Sequence, residues 1–247
     1  MYDRLQTWLD AQFPGMGLRP AYLTCLATLS MCVYWLYGRN RYAPDWFVDG
    51  LRDLTGISSA NFHRYFWAHL ACFVIMMLVP LVVTWFTDRM TPRELGLGIK
   101  GAGREFVIVT VLYLLFVPVI YVVSQGAGFQ ATYPRLALSK SDPTIFALFH
   151  LAYLLKWTAW EFFFRGFMLF GFMRDMAGRA VLVSTIPFTL MHYGKPDLEM
   201  LSALAAGFIL CWLAMKGRSI WPGVLLHWAV ALTMELFATR WFWALWG

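Results

Sequence analysis

Charged residues are scarce in this sequence: 20 Lys and Arg and 14 Asp and Glu make up 14% of its 247 residues. Soluble domains carry about a quarter charged residues, so this composition excludes an ordinary soluble protein. Hydrophobic residues account for 60% of the chain and aromatic residues for 18%. Since no stretch is polar enough to form a separate soluble domain, we predict a single integral-membrane domain over residues 1–247.

Several other patterns are absent. The four cysteines (Cys25, Cys32, Cys72 and Cys211) are isolated in apolar segments, which excludes a CxxC redox motif and a cysteine-rich metal site. The net charge of +6 comes with many Arg residues near the ends of apolar segments, and this arrangement suits anionic lipid headgroups. No Lys/Arg cluster accompanies a polar fold, so we expect the lipid bilayer and no nucleic acid as a partner.

The apolar segments predict an all-α, multi-pass transmembrane bundle of about seven or eight helices. The predicted helices are residues 21–37, 65–86, 106–124, 144–173, 179–193, 199–215 and 220–237. Segment 144–173 is too long for one straight span, so we expect a long, tilted or broken helix there. Residues 1–20 and 42–64 mix aromatic and charged side chains and predict interfacial amphipathic segments. Residues 125–143, rich in Gly, Ser and Pro, predict a polar loop.

Two opposite charges lie inside the longest apolar segment. Glu161 and Arg165 belong to the sequence WEFFFRG at residues 160–166. Charges at membrane depth are expensive and need a partner or a function, and residues four apart on a helix can pair. Glu161 is therefore a candidate general base. Arg165 would orient Glu161 or hold a substrate carboxylate. The alternative is a structural ion pair that joins two helices.

Two histidines and two further acids lie in later apolar segments. His192 precedes a Gly-Lys-Pro break, which predicts a position near a helix end that water can reach. His227 and Glu235 are eight residues apart, about two turns along one helix, and Glu199 starts the preceding helix. We expect these groups to form one polar site with Glu161, although each alone is also compatible with a structural hydrogen bond or a helix N-terminal charge.

Histidines and glutamates on separate helices can also bind zinc. The sequence has no HExxH motif, and its His and Glu residues are scattered. We therefore expect no metal site and no cofactor, with zinc as the lesser alternative.

Three of these segments resemble motifs of the CPBP family, also called the CAAX-protease and bacteriocin-processing (Abi) family of intramembrane endopeptidases. The family's Glu-Glu-x-x-x-Arg motif is matched by WEFFFR at residues 160–165, its Phe-x-x-x-His motif by FTLMH at 188–192, and its His-x-x-x-Asn/Asp motif by HWAVA at 227–231. The connectors RELGLG at 93–98 and GRSIWP at 217–222 are also similar. The resemblance covers a core of residues 92–237.

Two positions depart from the family pattern. Trp160 stands where the family has the first Glu, and Ala231 stands where it has Asn or Asp. The resemblance implies that His192 orients the hydrolytic water and that His227 helps to hold the oxyanion. Glu161 matches the family's second Glu. Trp-Glu in place of Glu-Glu resembles a bacterial branch of the family, and Glu199 and Glu235 are extra acids that could compensate for the missing one.

The resemblance implies an intramembrane endopeptidase that hydrolyses a peptide bond of a membrane-associated protein or peptide, using water activated by glutamate and histidine. Its expected catalytic residues are Glu161, His192 and His227. The alternative is a non-catalytic member that binds or shields a membrane peptide in an immunity or chaperone-like role. The expected location is the bacterial inner (plasma) membrane.

Overall fold

A computed structural model describes residues 2–239 of the chain, and every regular element in this range is a helix. The helices are α1 (Tyr2–Gln12), α2 (Leu18–Gly38), α3 (Asp45–Thr55), α4 (Ala60–Asp88), α5 (Gly103–Ser124), α6 (Ala127–Thr132), α7 (residues 143–176), α8 (Ala180–Leu190), α9 (Asp197–Gly217) and α10 (Trp221–Phe237). The all-α fold predicted from the sequence is confirmed.

Four of the described helices, α2, α4, α5 and α9, are long and apolar enough to cross a membrane, and α10 is a shorter apolar helix. These properties agree with a helical bundle in an integral membrane protein. The observed helices extend slightly beyond the predicted segments: residues 65–86 lie within Ala60–Asp88, and residues 199–215 lie within Asp197–Gly217. Hydropathy therefore located the helices but placed their ends two to five residues too far inward in these two cases.

Helix α7 runs without a break through segment 144–173, so of the predicted alternatives the structure has the long helix and not the broken one. It begins as Pro143–Glu161, continues as a π-helical stretch over Phe162–Gly171 and ends as Phe172–Met176. All ten residues of the π-helical stretch are buried. The first part of α7 packs against α4 and α10, and the π-helical stretch packs against α8. Its central position explains why so long an apolar segment is needed.

Residues 125–143 were predicted to form a polar loop, and this prediction was wrong in part. The segment contains α6 and a 3₁₀ turn at Ala137–Lys140. Phe129 and Tyr133 are buried against Ala238 at the end of α10, and the Gln130 side chain donates to the Ser124 carbonyl oxygen at 2.7 Å. Apolar side chains spaced four apart let this short segment fold as a helix on the bundle. The predicted interfacial segments contain α1 and α3, and their position relative to a bilayer stays a prediction.

The connector between α4 and α5 joins the ends of α7 and α10. The Ile220 backbone NH donates to the Gly96 carbonyl oxygen at 2.9 Å, and the Trp221 indole NH donates to the Leu97 carbonyl oxygen at 3.0 Å. A β-carbon at position 166 would lie 2.7 Å from the Leu95 carbonyl oxygen, so Gly166 is required for this close approach. These contacts fix the start of α10 relative to α7.

Candidate active site

A cavity of about 470 Å³ lies between α4, α7, α9 and α10, and the segments 133–135 and 191–195 also contribute to its wall. Most of the lining is aromatic or aliphatic. The charged residues and imidazoles that line it are Arg39, His69, Arg135, Lys156, His192, Lys195, Glu199, His227 and Glu235. A pocket that is largely apolar and holds a few convergent polar groups is the usual form of a ligand site.

His192 lies in the turn that follows α8, as the Gly-Lys-Pro break predicted. Its Nδ1 lies 2.8 Å from the carbonyl oxygen of Phe188, and because a carbonyl oxygen can only accept, Nδ1 carries the proton. In the neutral ring Nε2 then has a free lone pair. Burial lowers the pKa of His192 to about 4, so the neutral ring is the stable form at pH 7.

His227 is positioned by a carboxylate behind it. Its Nδ1 donates to Glu161 Oε1 at 2.6 Å. The Trp157 ring stacks on the imidazole, with 4.5 Å between centroids and 10° between planes. These two contacts fix the ring orientation, and Nε2 has no protein partner among residues 2–239. His227 lines the cavity, so Nε2 is available to a ligand there.

Glu161 and Arg165 form the ion pair that their spacing predicted, with 3.2 Å between Arg165 Nη1 and Glu161 Oε1. Both side chains are fully buried, and neither lines the cavity. Arg165 also lies over the Phe188 ring, 4.0 Å from its centroid. Glu161 therefore contacts the cavity through His227 and not directly.

Phe188 brings the two imidazoles together. Its ring centroid lies 4.7 Å from that of His192 and 5.7 Å from that of His227. The Phe-x-x-x-His spacing thus has two roles, because the residue four before His192 supplies both a carbonyl acceptor and a ring against the second imidazole. Trp160, which replaces the family's first Glu, lies 6.4 Å from the His192 ring.

A second polar cluster lies along the cavity wall. Lys195 Nζ donates to Glu199 Oε1 at 2.6 Å and to the Tyr133 hydroxyl at 2.7 Å, and this hydroxyl donates to Glu199 Oε2 at 2.9 Å. Burial, with a contribution from Arg135, lowers the pKa of Lys195 to about 8. Because the Lys195 NH also donates to the His192 carbonyl oxygen at 3.1 Å, the cluster holds the turn that carries His192.

Glu235 lies on the same wall, on α10 with His227. Its Oε2 accepts the Arg135 backbone NH at 2.9 Å, and its Oε1 is buried and has no hydrogen-bond partner among the described residues. Glu199 and Glu235 therefore face the same cavity as the two histidines. Their hydrogen bonds reach Tyr133 and Arg135, in the segment before α7.

Several cavity residues were missed or misplaced by the sequence analysis. Lys156 lines the cavity, and so does His69, which stacks on Tyr153 at 4.9 Å. Arg135 and Lys195 lie in connections between helices and belong to no local motif.

Within residues 2–239, no three His, Cys, Asp or Glu side chains lie close enough together to hold a metal ion.

Comparison with known proteins gives one family match. Residues 142–233 match the family described as "Type II CAAX prenyl endopeptidase Rce1-like". This range contains all three motifs, and the match is consistent with the CPBP resemblance identified from the sequence. No curated protein and no solved structure shows significant similarity to the chain.

Proposed function

We propose that this protein is an intramembrane endopeptidase in which His192 and His227 hydrolyse a peptide bond held in the central cavity. One observation supports this proposal most directly: both imidazoles line the same cavity and contact the Phe188 ring. The Nδ1 atom of each imidazole is hydrogen-bonded to another group of the protein. Each therefore has its Nε2 left for a ligand. The family match supports endopeptidase activity in general.

In this proposal His192 is the general base. A neutral imidazole whose Nδ1–H is bound to a carbonyl oxygen can accept a proton only at Nε2. The low pKa of His192 keeps that lone pair available at neutral pH. His192 Nε2 takes a proton from the water as its oxygen attacks the scissile carbonyl carbon. General base catalysis of this kind contributes about 10²- to 10⁴-fold.

His227 stabilises the oxyanion. The Glu161 carboxylate accepts from His227 Nδ1 at 2.6 Å and fixes the ring, so that Nε2–H of the protonated ring can donate to the oxygen that gains negative charge. Arg165 in turn pairs with Glu161 at 3.2 Å. Glu161 is thus a positioning residue, whereas the sequence analysis expected it to act directly on water.

The rest of the proposed reaction needs no further catalytic side chain. Water adds to the carbonyl, His192 holds the water's proton, and His227 Nε2–H binds the oxyanion. When the C–N bond breaks, His192 returns the proton to the leaving amine, and the carbonyl re-forms as a carboxylic acid. The cavity's aromatic walls, which include Trp157 and Trp160, limit bulk water around these steps.

The test is cleavage of a peptide library by the protein reconstituted in liposomes. His192→Ala and His227→Ala should each lower the rate at least about 100-fold. His150→Leu is the matched control, because His150 is buried outside the cavity lining and neither of its ring nitrogens has a hydrogen-bond partner among residues 2–239. Full activity of folded His192→Ala and His227→Ala proteins would refute the proposal.

A non-catalytic role is the second candidate, and one observation favours it. The position of the family's first Glu is held by Trp160, whose ring lines the cavity, while Glu161 faces away from it. No acid of this motif can therefore touch a ligand in the cavity. A shielding or chaperone-like protein would bind peptides at this site without turnover, and His192→Ala would leave binding unchanged.

The membrane and the substrate belong to the same proposal. The four apolar helices and the family match support an integral membrane protein. We propose the bacterial inner membrane as its location and a membrane-associated peptide or protein as its substrate.

A further inference from the structure

Lys156 is a cation in the cavity wall without a counterion. Its Nζ lies 5.2 Å from the Tyr153 ring, 5.5 Å from the Trp157 ring and 5.7 Å from the Trp160 ring. It forms no ion pair or hydrogen bond with any residue in the range 2–239. A charged amine at membrane depth is expensive unless it pairs with something, and aromatic faces offset only part of that penalty.

The other charges of the cavity do not neutralise Lys156. Four cationic and two acidic side chains line it: Arg39, Arg135, Lys156 and Lys195, and Glu199 and Glu235. Glu199 is already paired with Lys195 at 2.6 Å. Glu235 uses one oxygen for the Arg135 backbone NH. The cavity lining therefore carries two more cationic than acidic side chains, and a negatively charged group on a ligand would offset part of this excess.

Lys156 is placed next to the two histidines of the proposed active site. The Trp157 ring lies 5.5 Å from Lys156 Nζ and 4.5 Å from the His227 imidazole. The Trp160 ring lies 5.7 Å from Lys156 Nζ and 6.4 Å from the His192 imidazole.

We propose that Lys156 binds a carboxylate of the peptide in the cavity, on the same wall as the bond that faces His192 and His227. The carboxylate is an acidic side chain or the peptide's own C-terminus, and in both cases it forms a charge-assisted hydrogen bond with Nζ. The aromatic rings around Nζ exclude water, which strengthens the pair relative to one at the surface. Lys156 is then a specificity-determining residue. The inference rests on the proposed function only for the peptide nature of the ligand.

The experiment measures binding without turnover. Four matched pools of fluorescent ten-residue peptides carry Glu or Gln at one fixed position and a free or amidated C-terminus. Fluorescence anisotropy gives their affinity for the His192→Gln protein in neutral phosphatidylcholine nanodiscs. We expect at least one carboxylate-bearing pool to bind about tenfold tighter than the neutral pool. The comparison of Glu with Gln, and of free with amidated ends, identifies which carboxylate is bound.

Lys156→Met should remove this preference, and Lys156→Arg should keep most of it. Lys216→Met is the matched control, since Lys216 is an exposed lysine on α9 outside the cavity lining. Without peptide, Lys156→Met should also melt at a higher temperature than the parent, because it removes an unpaired charge from an apolar wall.

Three results would overturn the inference. The first is that Lys156→Met keeps the same preference, and the second is that the parent protein shows no preference. The third is that phosphatidylglycerol in the nanodiscs displaces the peptide from Lys156. The last result would identify an anionic lipid headgroup as the occupant. A pool that binds through Lys156 but is not cleaved by the unmodified protein would refute the endopeptidase proposal and leave this inference intact.

Discussion

Gly223 approaches the Glu161 carboxylate so closely that a β-carbon at position 223 would lie 2.6 Å from Glu161 Oε2. Helix α10 can therefore pack this closely on α7, with the Glu161 carboxylate in its observed place, because residue 223 has no side chain. The same approach brings His227, one turn further along α10, into contact with Glu161 Oε1. The Gly223–Glu161 contact thus sets the position of the imidazole that we assign to the oxyanion.

Gly223→Ala should lower activity much more than it lowers stability. The nearest atom to the added methyl group is the end of a side chain, so the carboxylate can move, but only by disturbing its contacts with His227 and Arg165. Overpacking of this kind costs about 1–3 kcal/mol, and we expect a tenfold or larger loss in kcat/KM. Peptide cleavage and thermal melting measure the two effects. Gly50→Ala is the control, since a β-carbon there meets open space.

Glu161→Gln and Glu161→Ala should behave differently. Both leave Arg165, which is fully buried, without its carboxylate, and the loss of one partner of a buried pair costs about 3–5 kcal/mol. Glutamine keeps an acceptor for His227 and Arg165, so it should fold better than alanine and still lose about 100-fold or more in rate.

The double substitution Glu161→Gln with Arg165→Met separates the two causes. It removes the unpaired guanidinium and should restore much of the melting temperature while activity stays low. Recovery of activity together with stability would show that the ion pair serves only the fold.

Tyr133→Phe should loosen the turn that carries His192. It removes two hydrogen bonds, one from Lys195 Nζ at 2.7 Å and one to Glu199 Oε2 at 2.9 Å. At about 1 kcal/mol each, their loss should speed amide hydrogen exchange in residues 191–195 and lower kcat/KM several-fold. Tyr37→Phe is the control, because that ring is 64% exposed and does not line the cavity. Unchanged exchange in the turn would contradict the role given to this cluster.

The pH dependence of kcat/KM should reflect a catalytic histidine whose pKa is lowered. Burial lowers the pKa of His192 to about 4, against about 6.5 in the unfolded chain. The base is then present over most of the acidic range, and kcat/KM should fall only as the pH drops toward 4. An inflection near pH 6.5 that disappears in His192→Gln would contradict this.

The free energy of unfolding should also depend on the protonation of His192. Between pH 6.5 and 4 the unfolded chain binds a proton at His192 that the folded protein does not bind, so the free energy of unfolding decreases as the pH falls through this window. His192→Gln should reduce that decrease. Urea unfolding of both proteins at several pH values measures the difference.

The helices could be predicted because their signal is local. Each apolar run long enough to span a bilayer needs no tertiary information, and α4, α5 and α9 were located from hydropathy to within a few residues. The short helix α6 was missed because its apolar face consists of only Phe129 and its neighbours, which become buried only when they reach the end of α10.

The wall of the cavity could not be predicted from charge alone. The sequence analysis expected the face of α7 that carries Glu161 to line the polar site. The cavity instead lies along Phe149, Tyr153, Lys156 and Trp160, which recur every three or four residues and so share one face of the helix. Glu161 follows Trp160 by one residue and points about 100° away, toward α10. Only the packing of α10 decides which face meets water.

The polar cluster around Lys195 could not be predicted from the sequence either. The hydrogen bond between Lys195 and Tyr133 joins residues that are 62 positions apart, and the bond between Arg135 and Glu235 joins residues 100 apart. No spacing rule connects such pairs. The Glu161–Arg165 pair, four residues apart, was visible because helix geometry alone brings it together.

The most direct test of the account is an experimental structure of the protein with a phosphonate peptide, whose tetrahedral phosphorus mimics the hydrated carbonyl. The account predicts one phosphonate oxygen about 2.7–3.1 Å from His227 Nε2 and the other oxygen beside His192 Nε2. A phosphonate bound elsewhere, or the two imidazoles on separate surfaces with no common ligand, would contradict it.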